Sequence, residues 1–196
     1  MDIIGLTGGI ASGKTTASNI LRSFGATIID ADHLARKVVK KGEPALDKLV
    51  AAFGEAILTN DGELNRKKLG EIVFNDNKKL EKLNDILHPL INSLAIKLFQ
   101  KERNKGKDKI VYDSPLLIEK NLIHMVDKVW LIYLDEKSQL RRLMERDNYT
   151  KVQALKRINS QMPIKDKIRF ADVLIDNSGS ISDLEEKLRF LWYNYS

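Results

Sequence analysis

The sequence predicts an α/β fold, a parallel β-sheet with helices on both faces, enlarged by a helical insertion. Three observations carry that expectation. Short apolar runs alternate with segments of helical spacing, as strands buried under crossover helices do. The first run passes directly into a glycine-rich bend and then a helix, in "GLTGGIASGKTT", residues 5–16. The helical block over residues 32–107 is too long for a single crossover, so a helical subdomain is expected inside one connection.

The elements follow in order. Residues 2–7 form the first apolar run, and Ala17, Ile20, Leu21 and Phe24 mark one face of a helix that Gly25 ends. "TIID", residues 27–30, is a second brief strand. In the helical block, "ALDKLVAAFG" carries Leu46, Leu49, Val50 and Phe53 before its closing glycine. A turn, "TNDGELN", precedes a helical segment over 66–74. Pro89 is expected to kink or divide the long helical stretch around it. Residues 109–112 and 129–134 are further strands, and a basic helix follows through "KSQLRRLMERD". A second helical segment breaks near "QMP". "ADVLIDN" supplies the last strand and "SISDLEEKLRFLWYNY" a closing amphipathic helix.

Composition narrows the function classes. The 196 residues are 43% hydrophobic and 31% charged, ordinary globular usage. No apolar run reaches the roughly 20 residues of a membrane span, and no secretory leader is legible, so a cytoplasmic protein that engages no membrane is expected. The absence of cysteine excludes disulfides and thiol chemistry. A net charge of +6 is spread over lysines and arginines interleaved with acids, not with aromatics, so nucleic acid is not expected as the partner. Nor does the sequence call for an obligatory protein partner.

The chemistry begins at the bend. Gly8, Gly13, Lys14 and Thr15 fit G-x-x-x-x-G-K-[ST], the phosphate-binding P-loop. Glycine permits close backbone approach, the turn aims successive N–H groups at one anionic centre, and the helix N-terminus adds partial positive charge. Gly9, Ala11, Ser12 and Thr16 complete the expected ATP seat; Lys14 reaches the β- and γ-phosphates and the Thr15 hydroxyl holds Mg²⁺. Ala11 is expected to fit and to affect ATP affinity little, unless a positive φ is required there. The string "NKGKD" is one residue too long for a GTPase base-reading element, and 196 residues suit a phosphotransferase better than a motor.

Such an enzyme needs a group to take the proton of the attacking hydroxyl. Two carboxylates follow the second strand in "DADHLAR", Asp30 and Asp32; one of them can equally cap the next helix, and spacing does not choose between them. Arg142 and Arg146, four apart, share a helix face and suit either a phosphate contact or a solvated basic surface. His33 and His124 lack metal-ligand spacing.

"GLTGGIASGKTT", "IIDADHLAR", "LHPLI", "SPLLIE", "QLRRLMERD" and "ADVLIDNSG", in that order, resemble the dephospho-CoA kinase family. The resemblance implies transfer of the ATP γ-phosphate to the 3′-hydroxyl of dephospho-CoA. It implies Asp32 as the general base, Lys14 and Arg142 as catalytic cations, and Arg146 as a second phosphate contact. It divides the chain into a P-loop NTPase core, 1–31 and 108–196, with a helical lid over about 138–169, and an acceptor-substrate subdomain, 32–107. His88, in the L-H-P position, and Glu119, in "PLLIE", are assigned to the acceptor pocket, although either suits a structural role. Asp113, ending "IVYD", has the look of a Walker B aspartate, but the family often lacks an acid there, so it is left out of the metal site. The adenine is expected near residues 176–179. Another P-loop small-molecule or nucleotide kinase, or a non-catalytic nucleotide- or RNA-binding module, remains the alternative.

Overall fold

In the computed structural model, residues 1–73 and 76–195 are described. They form two compact units, Met1–Ile29 with Lys101–Ser196, and Asp30–Gln100. The first is built on β1 (Asp2–Gly8), β2 (Thr27–Asp30), β3 (Lys109–Asp113), β4 (Lys128–Tyr133) and β5 (Val173–Asp176). The strands lie in the order β2-β3-β1-β4-β5, with helices on both faces. β1 pairs in parallel with β3 on one side and β4 on the other, and β5 extends β4 in the same sense.

β1 holds the centre because nearly every residue in it is apolar or small and buried. Leu6, Val111, Trp130 and Ile132 from three strands share one core with Ala17 and Leu21 of α1 (Lys14–Ser23) and Leu184, Leu188 and Trp192 of α9 (Ile181–Asn194). Burying each large side chain there contributes about 1.5–3 kcal/mol before entropy is charged. At the opposite end from the P-loop, two aspartates repeat one device. Asp127 accepts the Ile3 N–H at 2.7 Å and Asp172 the Val129 N–H at 2.7 Å, while their own amides donate to Ile3 and Val129 carbonyls. These reciprocal pairs set the register in which neighbouring strands start.

The second unit contains α2 (Ala31–Lys37), α3 (Pro44–Phe53), α4 (Arg66–Val73) and most of α5 (Asn77–Asn104). Its own core gathers Val38, Val39, Leu49, Ile57, Leu69 and Val73, against which α5 lays Leu83, Ile86, Leu87, Leu90 and Leu94. Of the helical segment expected over 66–74, Phe74 lies outside the described residues. Pro89 does not divide α5, which runs unbroken for 28 residues. Proline forfeits one i→i−4 hydrogen bond, a loss of about 3 kcal/mol; the apolar side chains on both sides of it are held by the same core and offset that loss.

Beyond β4, α6 (Glu136–Asp147) is followed by α7 (Lys151–Ile158) and the short α8 (Ile164–Lys167). Asp135 caps α6 by accepting the Ser138 N–H at 2.9 Å. Among the described residues no helix is long and apolar enough to cross a membrane.

The Ser138 amide holds the Asp135 carboxyl below the ordinary aspartate value of 3.8. Its stabilisation is therefore present above that value and is lost as pH falls through the folded-state pKa. Asp135→Ala should lower the melting temperature at neutral pH, with the gap to the native protein narrowing in acid. A carboxyl chemical-shift titration of Asp135 with its midpoint at or above 3.8 contradicts this account.

Candidate active site

The bend between β1 and α1 is a turn over residues 9–12, closed by the Ser12 N–H donating to the Gly9 carbonyl at 3.1 Å. Ala11 has φ +58° and Gly13 has φ +94°. Gly13 is required there twice over, because a Cβ would lie 2.1 Å from Asn177 Nδ2 as well as in the left-handed region. No side chain caps α1 and no acid occupies its first turn. The amides of that helix terminus are thus left for an anion, with the helix dipole behind them.

Five side chains converge on this bend from distant parts of the chain. Asp113, at the end of β3 and level with Leu6 in register, accepts from Lys14 Nζ. Asn177, just after β5, donates from Nδ2 to the Ser12 carbonyl at 2.7 Å. Arg142 Nη2 of α6 donates to the Asn177 carbonyl at 3.0 Å, which holds its guanidinium at the shoulder of Gly13. Gln161 Oε1 accepts the Ile10 N–H at 2.8 Å. Gln139, 2% exposed, lies beside Gly9, where a Cβ would stand 2.4 Å from its Nε2. That nitrogen has no protein partner among the described residues, and neither does the buried Ser12 hydroxyl. Orphaned donors beside a cradle that side chains would fill fit a polyphosphate ligand.

The structure thus brings Gly8, Gly9, Ala11, Ser12, Gly13, Lys14 and Arg142 together at one bend, with Thr15 and Thr16 opening α1. Arg146 goes elsewhere. It makes a two-pronged pair with its neighbour Asp147, both contacts 2.8 Å, which pulls the Asp147 carboxyl below the ordinary aspartate range. Glu119 is engaged as well: its Oε1 stands 2.7 Å from Lys167 Nζ and accepts the Met162 N–H at 3.3 Å. Lys167 is fully buried, and its Nζ also donates to the Pro115 carbonyl at 3.4 Å.

In the second unit, Asp30 caps α2, its Oδ1 accepting the amides of Asp32 at 2.8 Å and His33 at 3.0 Å. Asp32 is exposed in the first turn of α2. His88 is half-buried on α5 beside Pro89.

Sequence reasoning set Asp113 aside and passed over Gln139, Gln161 and Lys167. Asp113 was recoverable, since an acid ending a strand next to β1 must lie beside the bend. Nothing local marks Lys167 among the lysines of "PIKDKIRF" or Gln161 in "SQMP".

A parallel sheet whose central strand ends in an uncapped, glycine-shaped phosphate loop, with a lysine and an arginine upon it, defines a P-loop nucleotide-dependent phosphotransferase. Comparison with known proteins specifies which. The family model described as dephospho-CoA kinase matches residues 2–183. A dephospho-CoA kinase of Shouchella clausii is 51% identical over 177 residues, 90% of each chain. One of Carboxydothermus hydrogenoformans is 45% identical, covering 100% of this chain and 98% of its own. A solved dephospho-CoA kinase from Campylobacter jejuni superposes with a TM-score of 0.67 at 29% identity, over 97% of this chain and 95% of that one. The chain belongs to the dephospho-CoA kinase family and is an ATP-using kinase of dephospho-CoA.

Ala11 lies in the region that the sequence reading named as its exception. An L-residue there costs about 1–2 kcal/mol, against about 0.4–1 kcal/mol of added unfolded-state freedom for glycine. Ala11→Gly should therefore raise the melting temperature by about 2 °C; a fall in a thermal scan contradicts the strain.

Proposed function

We propose that the bend seats ATP, that Asp32 acts as general base, and that the γ-phosphate passes to the 3′-hydroxyl of the dephospho-CoA ribose. The observation that carries this reading is the uncapped start of α1 with Lys14 and Arg142 held on the same bend. Loop amides and Lys14 bind the β- and γ-phosphates, drawing Lys14 from Asp113 as the triphosphate arrives. Arg142, fixed through Asn177, meets charge that develops in transfer. Asp32 takes the proton as the ribose oxygen attacks phosphorus and the bond to the β–γ bridging oxygen breaks, leaving ADP. Arg146 serves at most as a second phosphate contact, after release from Asp147.

Magnesium fits the donors present, since the exposed Thr15 hydroxyl and the Asp113 carboxylate offer the hard oxygen ligands it prefers. Bound there, Mg²⁺ would neutralise phosphate charge. The unit Asp30–Gln100, with His88, is assigned to the acceptor, and α6 with α7 to a lid. Glu119 supports the site from beneath through Lys167 rather than touching substrate. The reading places the reaction in the cytoplasm, where ATP is plentiful.

A coupled ADP-release assay with dephospho-CoA, adenosine, AMP and a simple sugar tests substrate and reaction together. Turnover is expected with dephospho-CoA, and turnover with any of the others at equal or higher kcat/KM overturns the acceptor assignment. Asp32→Asn should lower kcat by about 100-fold or more while ATP binding persists. Asp30→Asn, which keeps a capping oxygen, should leave kcat within a few-fold; if it does the greater damage, the roles of the two carboxylates are reversed.

A further inference from the structure

The tip of the phosphate loop carries a contact that ATP binding does not explain. The Ile10 N–H, at the second position of the turn over 9–12, donates to Gln161 Oε1 across 151 residues of sequence. Gln161 lies just after α7, in a turn its own amide helps to close on the Ile158 carbonyl at 3.1 Å. That turn is anchored. The next amide, Met162, donates to Glu119, and Glu119 is paired with the fully buried Lys167. The Lys167 amide donates to the Pro163 carbonyl at 3.2 Å, and its ammonium to Pro115. Ile164, between them, is buried. A side chain carried by so fixed a backbone presents its oxygen at a set position.

The turn it grips is one that needs gripping. Ala11 follows Ile10 with φ +58°, a conformation that alanine leaves readily unless its surroundings hold it. The Ser12-to-Gly9 hydrogen bond engages the carbonyl of the Gly9–Ile10 peptide unit, and Gln161 engages the N–H on the other edge of the same planar unit. Held at both edges, the plane that leads into Ala11 keeps one orientation; held by the turn bond alone, it keeps only a single tether.

We propose that Gln161 is a positioning residue for ATP: by accepting the Ile10 amide it holds the strained turn over 9–12 in the shape that receives the phosphates. The ATP seat then depends on the anchored turn after α7 and not on the bend alone. This rests on reading the bend as the ATP seat. The amide suits the task better than a carboxylate, since it supplies the acceptor without placing a like charge beside a polyphosphate.

The test is a pair of variants read by calorimetric ATP titration with magnesium. Gln161→Met keeps the length and removes the acceptor. It should weaken ATP binding about fivefold to tenfold, the value of one hydrogen bond, with the dephospho-CoA KM unchanged within about twofold. In an Ala11→Gly background, where the left-handed conformation is free of strain, the same substitution should weaken ATP only about twofold. Equal losses in the two backgrounds, or an unchanged ATP affinity in the single variant, overturn the proposal. Independently of any substitution, the Ile10 amide proton should exchange slowly in the nucleotide-free native protein; rapid exchange also overturns it. If the native protein shows this protection and the unequal losses but releases no ADP with dephospho-CoA, the kinase reading fails and the role of Gln161 stands.

Discussion

The constraint on which the structure depends is the aim of a few backbone N–H groups at the bend between β1 and α1. No side chain supplies an anion site as dense as a helix terminus joined to a glycine-shaped turn. The rest of the first unit serves to hold that aim. β1 lies between β3 and β4, so its end cannot shift without moving two neighbours. α1 is locked by Ala17 and Leu21 in the main core. The residues that finish the site, Asp113, Arg142 and Asn177, arrive at strand ends or on the helix after β4, the places where a parallel sheet delivers side chains to the carboxyl edge.

Much of this was legible in the sequence because it is local. The loop pattern, the strand before it and the helix after it lie within a few residues of one another, and their chemistry requires that order. That one aspartate of "DADHLAR" caps the next helix was likewise readable, since capping acts over three residues, whereas its being Asp30 came from the structure. What could not be read are partnerships made across the fold. Gln161 reaches Ile10 over 151 residues, and Asn177 reaches Ser12 over 165. Glu119 illustrates the converse: its segment suggested the acceptor pocket, but its carboxylate is occupied by a lysine that sequence gave no reason to bury. Pro89 shows tertiary packing overriding a local rule, because α5 is fastened by apolar side chains on both sides of it.

The Glu119–Lys167 pair bears on how the site keeps its shape. Burying an ion pair costs desolvation that Coulomb attraction only partly returns, so such a pair is poor evidence for stability. Its value lies in direction. Lys167 is fully buried and must be satisfied, and Glu119, with the Pro115 carbonyl, provides acceptors where the chain leaves β3. The segment between α7 and β5 is therefore registered against the loop after β3. An apolar pair of the same volume would fill the space without specifying that alignment.

The polar groups around the bend divide by charge according to what each must do. Cations, Lys14 and Arg142, stand where phosphate charge is to be met. The acid, Asp113, lies against Lys14 and keeps that lysine from being an unpaired, half-buried charge before nucleotide arrives. The groups that shape the loop or crowd it are neutral amides: Asn177 on Ser12, Gln161 on Ile10, and Gln139 beside Gly9. A carboxylate at position 161 would accept as well or better but would repel the ligand, one at position 177 would have no proton to donate to the Ser12 carbonyl, and a lysine or arginine at either would compete for the phosphates that Lys14 must orient. Amides fix geometry without contributing to the field, so the loop's shape and its charge are set by different residues.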